Sequence, residues 1–307
     1  METQYLNLLA DVLQQGEVRD DRTGVGTLSV FGRQIRCNLK DGFPLLTTKK
    51  MGMKSIAGEL LWFLEGSNDE RRLAEITHGS KDGKVTIWTA NALAPYWKNK
   101  ASFEGDVGSI YGVQWRKWKK HTIKSYDDHL MHRDQHAETY FGAKVAVEYH
   151  DQIQKIIDTI KSNPMDRRMV LTAFNVGELD QMALPPCHMF AQFYVGRKNK
   201  DLSCQVYIRS NDLFLGLPYN IASYALLTHM IAQVTDLDVG ELIITIGDAH
   251  IYKNHVSQVK EQLGRMTFPL PTLLLNESVK DIDDFTMNDI AIKDYKCHPT
   301  IKGDMAV

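Results

Sequence analysis

The stretch MALPPCHMF, residues 182–190, sets one cysteine after two prolines and before a histidine. The prolines fix φ and withhold backbone donors, so Cys187 is held in an extended or turn geometry rather than drawn into a helix. A thiol posed in that way suits nucleophilic attack, which needs the thiolate and therefore a cation close enough to depress its pKa. It suits an inert thiol at a strand entrance equally well. For Cys37, Cys204 and Cys297 the inert reading is the better one. No protease-type Cys/His motif accompanies Cys187.

Arginines are the available cations. Arg22 sits in DRTGVG, where glycines let backbone amides approach an anion. Arg167 and Arg168 are adjacent after Asn163-Pro164, and Arg209 precedes Ser210 at a strand end. A guanidinium fork binds phosphate in two-point fashion, so these element ends suit one phosphate between them. Spacing alone favours ordinary solvated pairs. DRTGVG is neither a P-loop nor a dinucleotide fingerprint.

Three further groups carry polar chemistry. RSNDLFLGLPYNIASYALL packs Asn211, Asp212 and Asn220 around Gly216 and Pro218, directly before an apolar helix. Asn220 reads as a helix N-cap, or as an amide whose acceptor and donors pair with a heterocycle edge such as that of uracil. GDAHIYKNH brings His250 and Tyr252 to one side of a strand-to-helix junction, where a sugar hydroxyl is a suitable partner. A metal is disfavoured there, since the spacing matches no ligand set and no paired carboxylates lie near. Glu59 stands alone among Leu, Trp and Phe in KSIAGELLWFLE, either bonded to a neighbour or tuned as an acid/base.

These residues need a scaffold. Tyr5, Leu8, Leu9, Val12 and Leu13 predict a helix over 4–14 that Gly16 ends. Residues 54–65 predict a mostly buried helix, and Ile153, Ile156, Ile157 and Ile160 form one face of another that Asn163-Pro164 stops. RRMVLTAFNV reads as a buried strand. MFAQFYVG and LSCQVYIRS read as two strands joined by RKNK in a hairpin. YNIASYALLTHMIAQV is an apolar helix, ELIITIGD a strand, and AHIYKNHVSQVKEQL an amphipathic helix. Residues 89–147 are the least regular, with an extended surface insertion over about 118–148. No internal repeat or Gly/Ser linker appears. Strands and helices mix without regular βαβ alternation, which predicts one domain on a mixed sheet.

The totals agree with a globular chain: 307 residues, 43% hydrophobic and 24% charged. A net charge of −2 gives no basic field for nucleic acid. Four widely spaced cysteines fit reduced thiols in the cytoplasm better than a disulfide scaffold or zinc site. The N-terminus lacks the apolar core of a signal peptide, and no run of about 18 apolar residues predicts a membrane span.

In order along the chain stand DRTGVGT, PLLTTKK, GELLWFLEGS, TIW, YGVQWR, PMDRR, MALPPCH, QFYV, LSCQVYIRSNDLFLGLPYNIASYALL, GDAHIYKNH and PTIKGDMAV. Together they closely resemble the folate-dependent thymidylate synthases, from about residue 2 to residue 307, with a family-variable insertion at about 119–149. The resemblance implies an α+β domain whose large mixed, mostly antiparallel twisted sheet is packed by helices. It implies reductive methylation of deoxyuridylate with 5,10-methylenetetrahydrofolate as cosubstrate, and no metal. By the same resemblance Cys187 is the nucleophile that adds to C6 of the base, Glu59 organises water and moves protons, and Tyr111 lies near the C5 proton. His188 follows the nucleophile, and Asn220 reads uracil. Arg22, Arg209 and Ser210 bind phosphate, joined by Arg167 and Arg168 from a second subunit, so a homodimer with shared sites is implied. His250 and Tyr252 meet the ribose. Trp88 and Leu184 form the cofactor wall, Asp212 meets the pterin beside Gly216, and Lys49 meets the folate tail. Met305, Ala306 and Val307 close over the complex.

Three positions depart from the family pattern. Thr89 stands where aspartate is common, Ile208 where glutamine is usual, and Tyr219 where phenylalanine is common. The first two bring contacts near cofactor and phosphate into question. The alternative within the fold is a deoxyuridylate hydroxymethylase, in which water replaces the folate hydride. Asn220 argues against a cytosine-acting relative, which is expected to carry aspartate there. A copy that only binds is the other rival, and the intact Cys187, Asn220 and arginines argue against it.

Overall fold

The computed structural model describes residues 1–126, 143–196 and 200–305. Its centre is a six-stranded sheet of order β1-β2-β8-β7-β6-β5, with β1 Glu17–Arg19, β2 Thr27–Asn38, β5 Val170–Thr172, β6 His188–Val195, β7 Asp201–Asp212 and β8 Asp238–Tyr252. The β7–β8 pair is parallel and the other pairs are antiparallel. The expected α+β class with a mixed, mostly antiparallel sheet is therefore borne out. Helices α1 Glu2–Gln15, α2 Met53–Leu64, α3 Glu70–His78, α4 Thr89–Ala92, α5 Pro95–Lys98, α6 Tyr111–Lys117, α7 Gln152–Ser162, α8 Gly216–Val234 and α9 Val256–Leu263 complete the domain. Two ribbons stand off the main sheet: β3 Trp118–Tyr126 with β4 Ala143–His150, and β9 Thr272–Leu275 with β10 Ile290–Lys293.

The helices follow their apolar stripes. Tyr5, Leu8, Leu9 and Val12 bury one face of α1, and Gly16 closes it by donating to the Val12 carbonyl at 3.0 Å. A side chain at Gly16 has no room, since a Cβ would lie 2.4 Å from that carbonyl oxygen. Asp151 caps α7 by accepting from the Gln154 N–H at 2.9 Å, and its four isoleucines face the core. α8 is apolar nearly all round because it runs through the core under the sheet. The interior face of β7 alternates Leu202, Cys204, Val206 and Ile208, all buried, while Gln205 is exposed.

Three expectations change. β8 runs on through His250 and Ile251 to Tyr252, and the following helix starts only at Val256. Pairing on both flanks holds the extra residues extended: Asp212 stands opposite His250 and Thr27 opposite Tyr252. The strand expected from RRMVLTAFNV shrinks to the three residues of β5, with Leu171 buried and Val170 exposed, since it is an edge strand with one neighbour. The irregular 89–147 region holds three short helices and the first strand of a ribbon, whose Trp118 pairs with His150 at the base. The turn RKNK falls mostly on 197–199, outside the described residues. The flanking register, Val195 opposite Leu202, is that of the expected hairpin.

Candidate active site

Cys187 ends the Pro-Pro segment and immediately precedes β6. Its amide donates to the Tyr111 hydroxyl at 2.7 Å, and its carbonyl accepts from the Arg209 N–H at 2.8 Å. Both bonds use backbone groups, so the thiol stays free. The Arg209 guanidinium reaches Sγ at 3.8 Å while donating to the Pro185 and Pro186 carbonyls at 2.9 Å each. The prolines thus present two carbonyls that pin the one cation beside the sulfur.

That cation does not by itself make a thiolate. Burial raises the Cys187 pKa above its usual 9.0, and Arg209 offsets only part of the rise. Of the arginines expected to depress it, Arg209 does lower it, and burial outweighs that effect. The reason is geometric: Arg22, Arg167 and Arg168 are exposed and do not reach the sulfur. Arg168 pairs instead with Asp166 at 2.8 Å.

An aromatic box backs the thiol. The His188 ring stacks on Tyr111 with centroids 3.9 Å apart, and its Nδ1 meets the Tyr224 hydroxyl at 2.7 Å. Burial pushes the imidazole down to about 3, so it is neutral at physiological pH. Tyr111 is buried and its pKa lies well above 10.0, so its hydroxyl keeps its proton. Glu59, on α2, accepts from the Trp88 indole N–H at 2.7 Å. Desolvation lifts its carboxyl to about 7, where it can both give and take a proton. Helices α2 and α6 meet backbone to backbone at Gly112, where a Cβ would lie 2.6 Å from the Phe63 carbonyl oxygen. That approach sets α2, which carries Glu59, against α6, which carries Tyr111.

The far side is built from β7, β8 and the start of α8. Asp248 accepts from Ser29 at 2.9 Å and contacts His250 Nδ1 at 3.0 Å, fixing that ring. His250 and Tyr252 meet edge to face with centroids 5.2 Å apart, two residues apart on one strand. The Arg22 loop is anchored beside them. Asp21 accepts from the N–H groups of Thr23 and Gly26 at 2.5 and 2.7 Å, and the Gly26 carbonyl accepts from Lys253 at 3.0 Å. Gly24 and Gly26 take φ of 75° and 76°, the left-handed region that favours glycine. Arg22 is left in solvent near Tyr252.

Asn220 lies in the first turns of α8, whose N-cap is Leu215, so it is not the cap. Its Oδ1 accepts from Asn211 Nδ2 at 3.2 Å. Asp212 uses Oδ1 to accept from Phe214 and Leu215 N–H groups at 2.8 and 3.2 Å. Its second oxygen has no hydrogen bond among the described residues. Gly216 opens α8 with its Cα against Asn211, and Ser210 is half-buried next to Arg209.

Lys49 packs against the turn that follows Asp212. It is buried, its ammonium donates to the Phe214 carbonyl, and it lies 3.8 Å above the Phe214 ring. Burial brings its pKa down to about 8. Trp88 is buried between Trp62 and Tyr111, and Leu184 is half-buried against the core. Thr89, in place of the common aspartate, donates to the buried Glu70 carboxylate at 2.5 Å, and Arg71 also binds that carboxylate. Ile208 is fully buried in the core. The Tyr219 hydroxyl lies beside Gly52. Ala306 and Val307 lie outside the described residues. Asp304 before them is held by His255 Nε2 at 2.8 Å.

A separate cleft of about 550 Å³ lies between α2, α3, α6 and the 282–287 segment. Most of its charges are already matched: Arg72 with Glu65, and Arg116 with Asp151 and Asp283, while Lys117 donates to the Gly66 carbonyl at 3.0 Å. Among the described residues no His/Cys/Asp/Glu group suits a metal ion, and no helix is long and apolar enough to cross a membrane.

Sequence reasoning missed Tyr224 and Asn211 as partners of site residues. The Tyr224 contact joins β6 to α8 and no local pattern announces it, whereas Asn211 stands in the same stretch as Asn220 and only their bond was not foreseen.

A model of the thymidylate synthase family matches residues 3–307. A bifunctional dihydrofolate reductase-thymidylate synthase from Zea mays is 47% identical over 309 residues, covering 100% of this chain and 54% of its own length. The chain thus spans about half the length of that curated relative. A match over nearly every residue, on a fold that seats Cys187, Tyr111 and Arg209 together, leads to one assignment: this chain belongs to the thymidylate synthase family.

Proposed function

We propose that the chain converts deoxyuridylate to thymidylate by reductive methylation. The observation that carries this reading is Cys187 Sγ beside Arg209, backed by Tyr111 and His188, with Glu59 close to Tyr111. A pyrimidine ring is a poor electrophile, and thiolate addition at C6 divides one hard step into two easier ones. Since the resting thiol is protonated, addition is coupled to loss of that proton. Asn220 pairs with the N3–O4 edge, and Tyr111 and Glu59 handle protons at C5 and O4. His250 and Tyr252 hold the ribose, and Arg22, Arg209 and Ser210 hold the phosphate. Neither the family nor the relative's name favours the hydroxymethylase alternative.

The cosubstrate 5,10-methylenetetrahydrofolate supplies the one-carbon unit and the hydride when bound. The residues fit it: Trp88 and Leu184 give an apolar wall, Gly216 lies alongside, and the free oxygen of Asp212 suits a ring N–H. Closure by the segment ending in Ala306 excludes water, so that solvent does not compete with the hydride.

A homodimer completes the reading. The outer face of the sheet is bare and carries Phe31, Phe190 and Tyr194, with exposures of 78%, 41% and 61%. Gln192, on that face, donates to the Arg167 carbonyl at 3.1 Å, so the arginine pair rims the bare face. Arg167 and Arg168 then serve a partner's phosphate. A cytoplasmic setting, in which the four free cysteines stay reduced, belongs to the same reading, as does one domain over 1–307 with its variable insertion at about 119–149.

Incubation with deoxyuridylate and 5,10-methylenetetrahydrofolate is expected to yield thymidylate by mass, with the absorbance rise of dihydrofolate. Cys187→Ser is expected to lose at least about 1,000-fold in kcat. A hydroxymethylated product without dihydrofolate, or a Cys187→Ser variant at wild-type rate, overturns the reading.

A further inference from the structure

Asn211 sits on the buried side of β7, opposite Ala249 of β8. It is only 4% exposed, at a position where the preceding inward residues are Leu202, Cys204, Val206 and Ile208. A buried amide is costly unless its polar atoms are used. Asn211 uses its Nδ2 on one partner, the Asn220 Oδ1 at 3.2 Å. Its own Oδ1 rests over Gly216, where a Cβ would come within 3.1 Å of it. The glycine at the start of α8 therefore leaves the room in which the Asn211 amide lies.

An asparagine amide has nearly the same shape when its oxygen and nitrogen are exchanged, and hydrogen bonds decide which way it points. The two orientations of Asn220 have opposite meanings for a pyrimidine. Uracil offers a donor at N3 and an acceptor at O4; cytosine offers an acceptor at N3 and a donor at N4. With Oδ1 held on the Asn211 side, Asn220 matches uracil. Turned over, it matches cytosine, but its NH₂ then faces the Asn211 NH₂, donor against donor, and relief requires the buried Asn211 amide to turn as well. Selectivity of this kind is built from a repulsion as well as an attraction.

We propose that Asn211 is a positioning residue that sets base selectivity, by fixing the Asn220 amide in the orientation that pairs with uracil and opposes cytosine. The proposal rests on the reading of Asn220 as the group that meets the base edge.

The test is titration calorimetry of deoxyuridylate and deoxycytidylate against the wild-type chain, Asn211→Leu and Asn211→Asp at pH 8. Leucine keeps the shape and removes the donor, so Asn220 is free to turn. The deoxyuridylate-to-deoxycytidylate affinity ratio is expected to fall at least about tenfold. The aspartate carboxylate only accepts, so it draws the Asn220 NH₂ inward, and the ratio is expected to fall further. A loss of fold or packing weakens both nucleotides alike and leaves the ratio in place. A ratio within about twofold of wild type in whichever variant folds overturns the inference. Failure of the wild-type chain to prefer deoxyuridylate overturns the reading of the site instead, before any variant is compared.

Discussion

Glu59 shows how one carboxyl trades stability for chemistry. Its ordinary pKa is 4.5 and burial in the fold lifts it to about 7. The folded chain therefore binds this proton more tightly than the unfolded one. Stability from this group falls as pH rises from about 4.5 to about 7 and is level above. Glu59→Gln removes the titration while keeping an oxygen for the Trp88 N–H. The variant is expected to match wild type in unfolding free energy at pH 4 and to exceed it by about 2–3 kcal/mol at pH 8, while losing activity. Urea unfolding at the two pH values checks this, and an equal difference at both would refute it. His188 has the opposite sign. Held neutral with a pKa near 3, it contributes stability that is lost as pH falls below 6.5, the unfolded value. The Glu59→Gln comparison at fixed pH cancels that background. Both groups were visible in the sequence as polar residues amid apolar or proline-rich neighbours. The depth of their burial was not, since Tyr224 and Trp88 close over them from elements far along the chain.

Elements were legible where one face decides them. The isoleucines of α7 and the stripe of α1 repeat at helical spacing, and the structure buries those residues. Elements fixed by distant pairing were not. Residues 250–252 read as the head of a helix, yet two neighbouring strands hold them in β8. Lys49 carries no local mark of burial, because the Phe214 carbonyl and ring that hold it come from the turn before α8. The β3–β4 ribbon tests the same distinction. It pairs with itself and not with the main sheet, and Val147 and Tyr149 are exposed on it. His121 stands opposite Val147, so replacing residues 122–146 by Asn-Gly closes a two-residue hairpin in register. The replacement leaves the pairing of the main sheet untouched. The unfolding midpoint is expected to stay within about 3 °C of wild type and kcat/KM within about threefold. Thermal melts and the dihydrofolate assay check both. A large loss in either would mean that the ribbon supports the site.

At the scale of the whole molecule, on the proposed reading, the phosphate end of one chain's site is short of charge. Arg209 and Arg22 belong to it, but Arg167 and Arg168 lie at the rim of the bare sheet face and are exposed. Joining two copies across that face by a two-fold axis covers Phe31, Phe190 and Tyr194, and each copy then lends its arginine pair to the other. Sedimentation is expected to give twice the 35.0 kDa of the chain. Tyr194→Lys places a charge on that apolar face and is expected to give inactive monomer. Mixed dimers separate sharing from mere proximity. Arg167→Glu cripples the partner's phosphate site, and Cys187→Ala removes the chain's own nucleophile. Each homodimer is inactive. In a mixed dimer the intact Cys187 of one copy faces the intact Arg167 of the other, so one site in two is whole. Random exchange makes half the dimers mixed, so about a quarter of wild-type activity is expected on mixing. Were each site self-contained, neither parent would supply what the other lacks, and mixing would restore nothing.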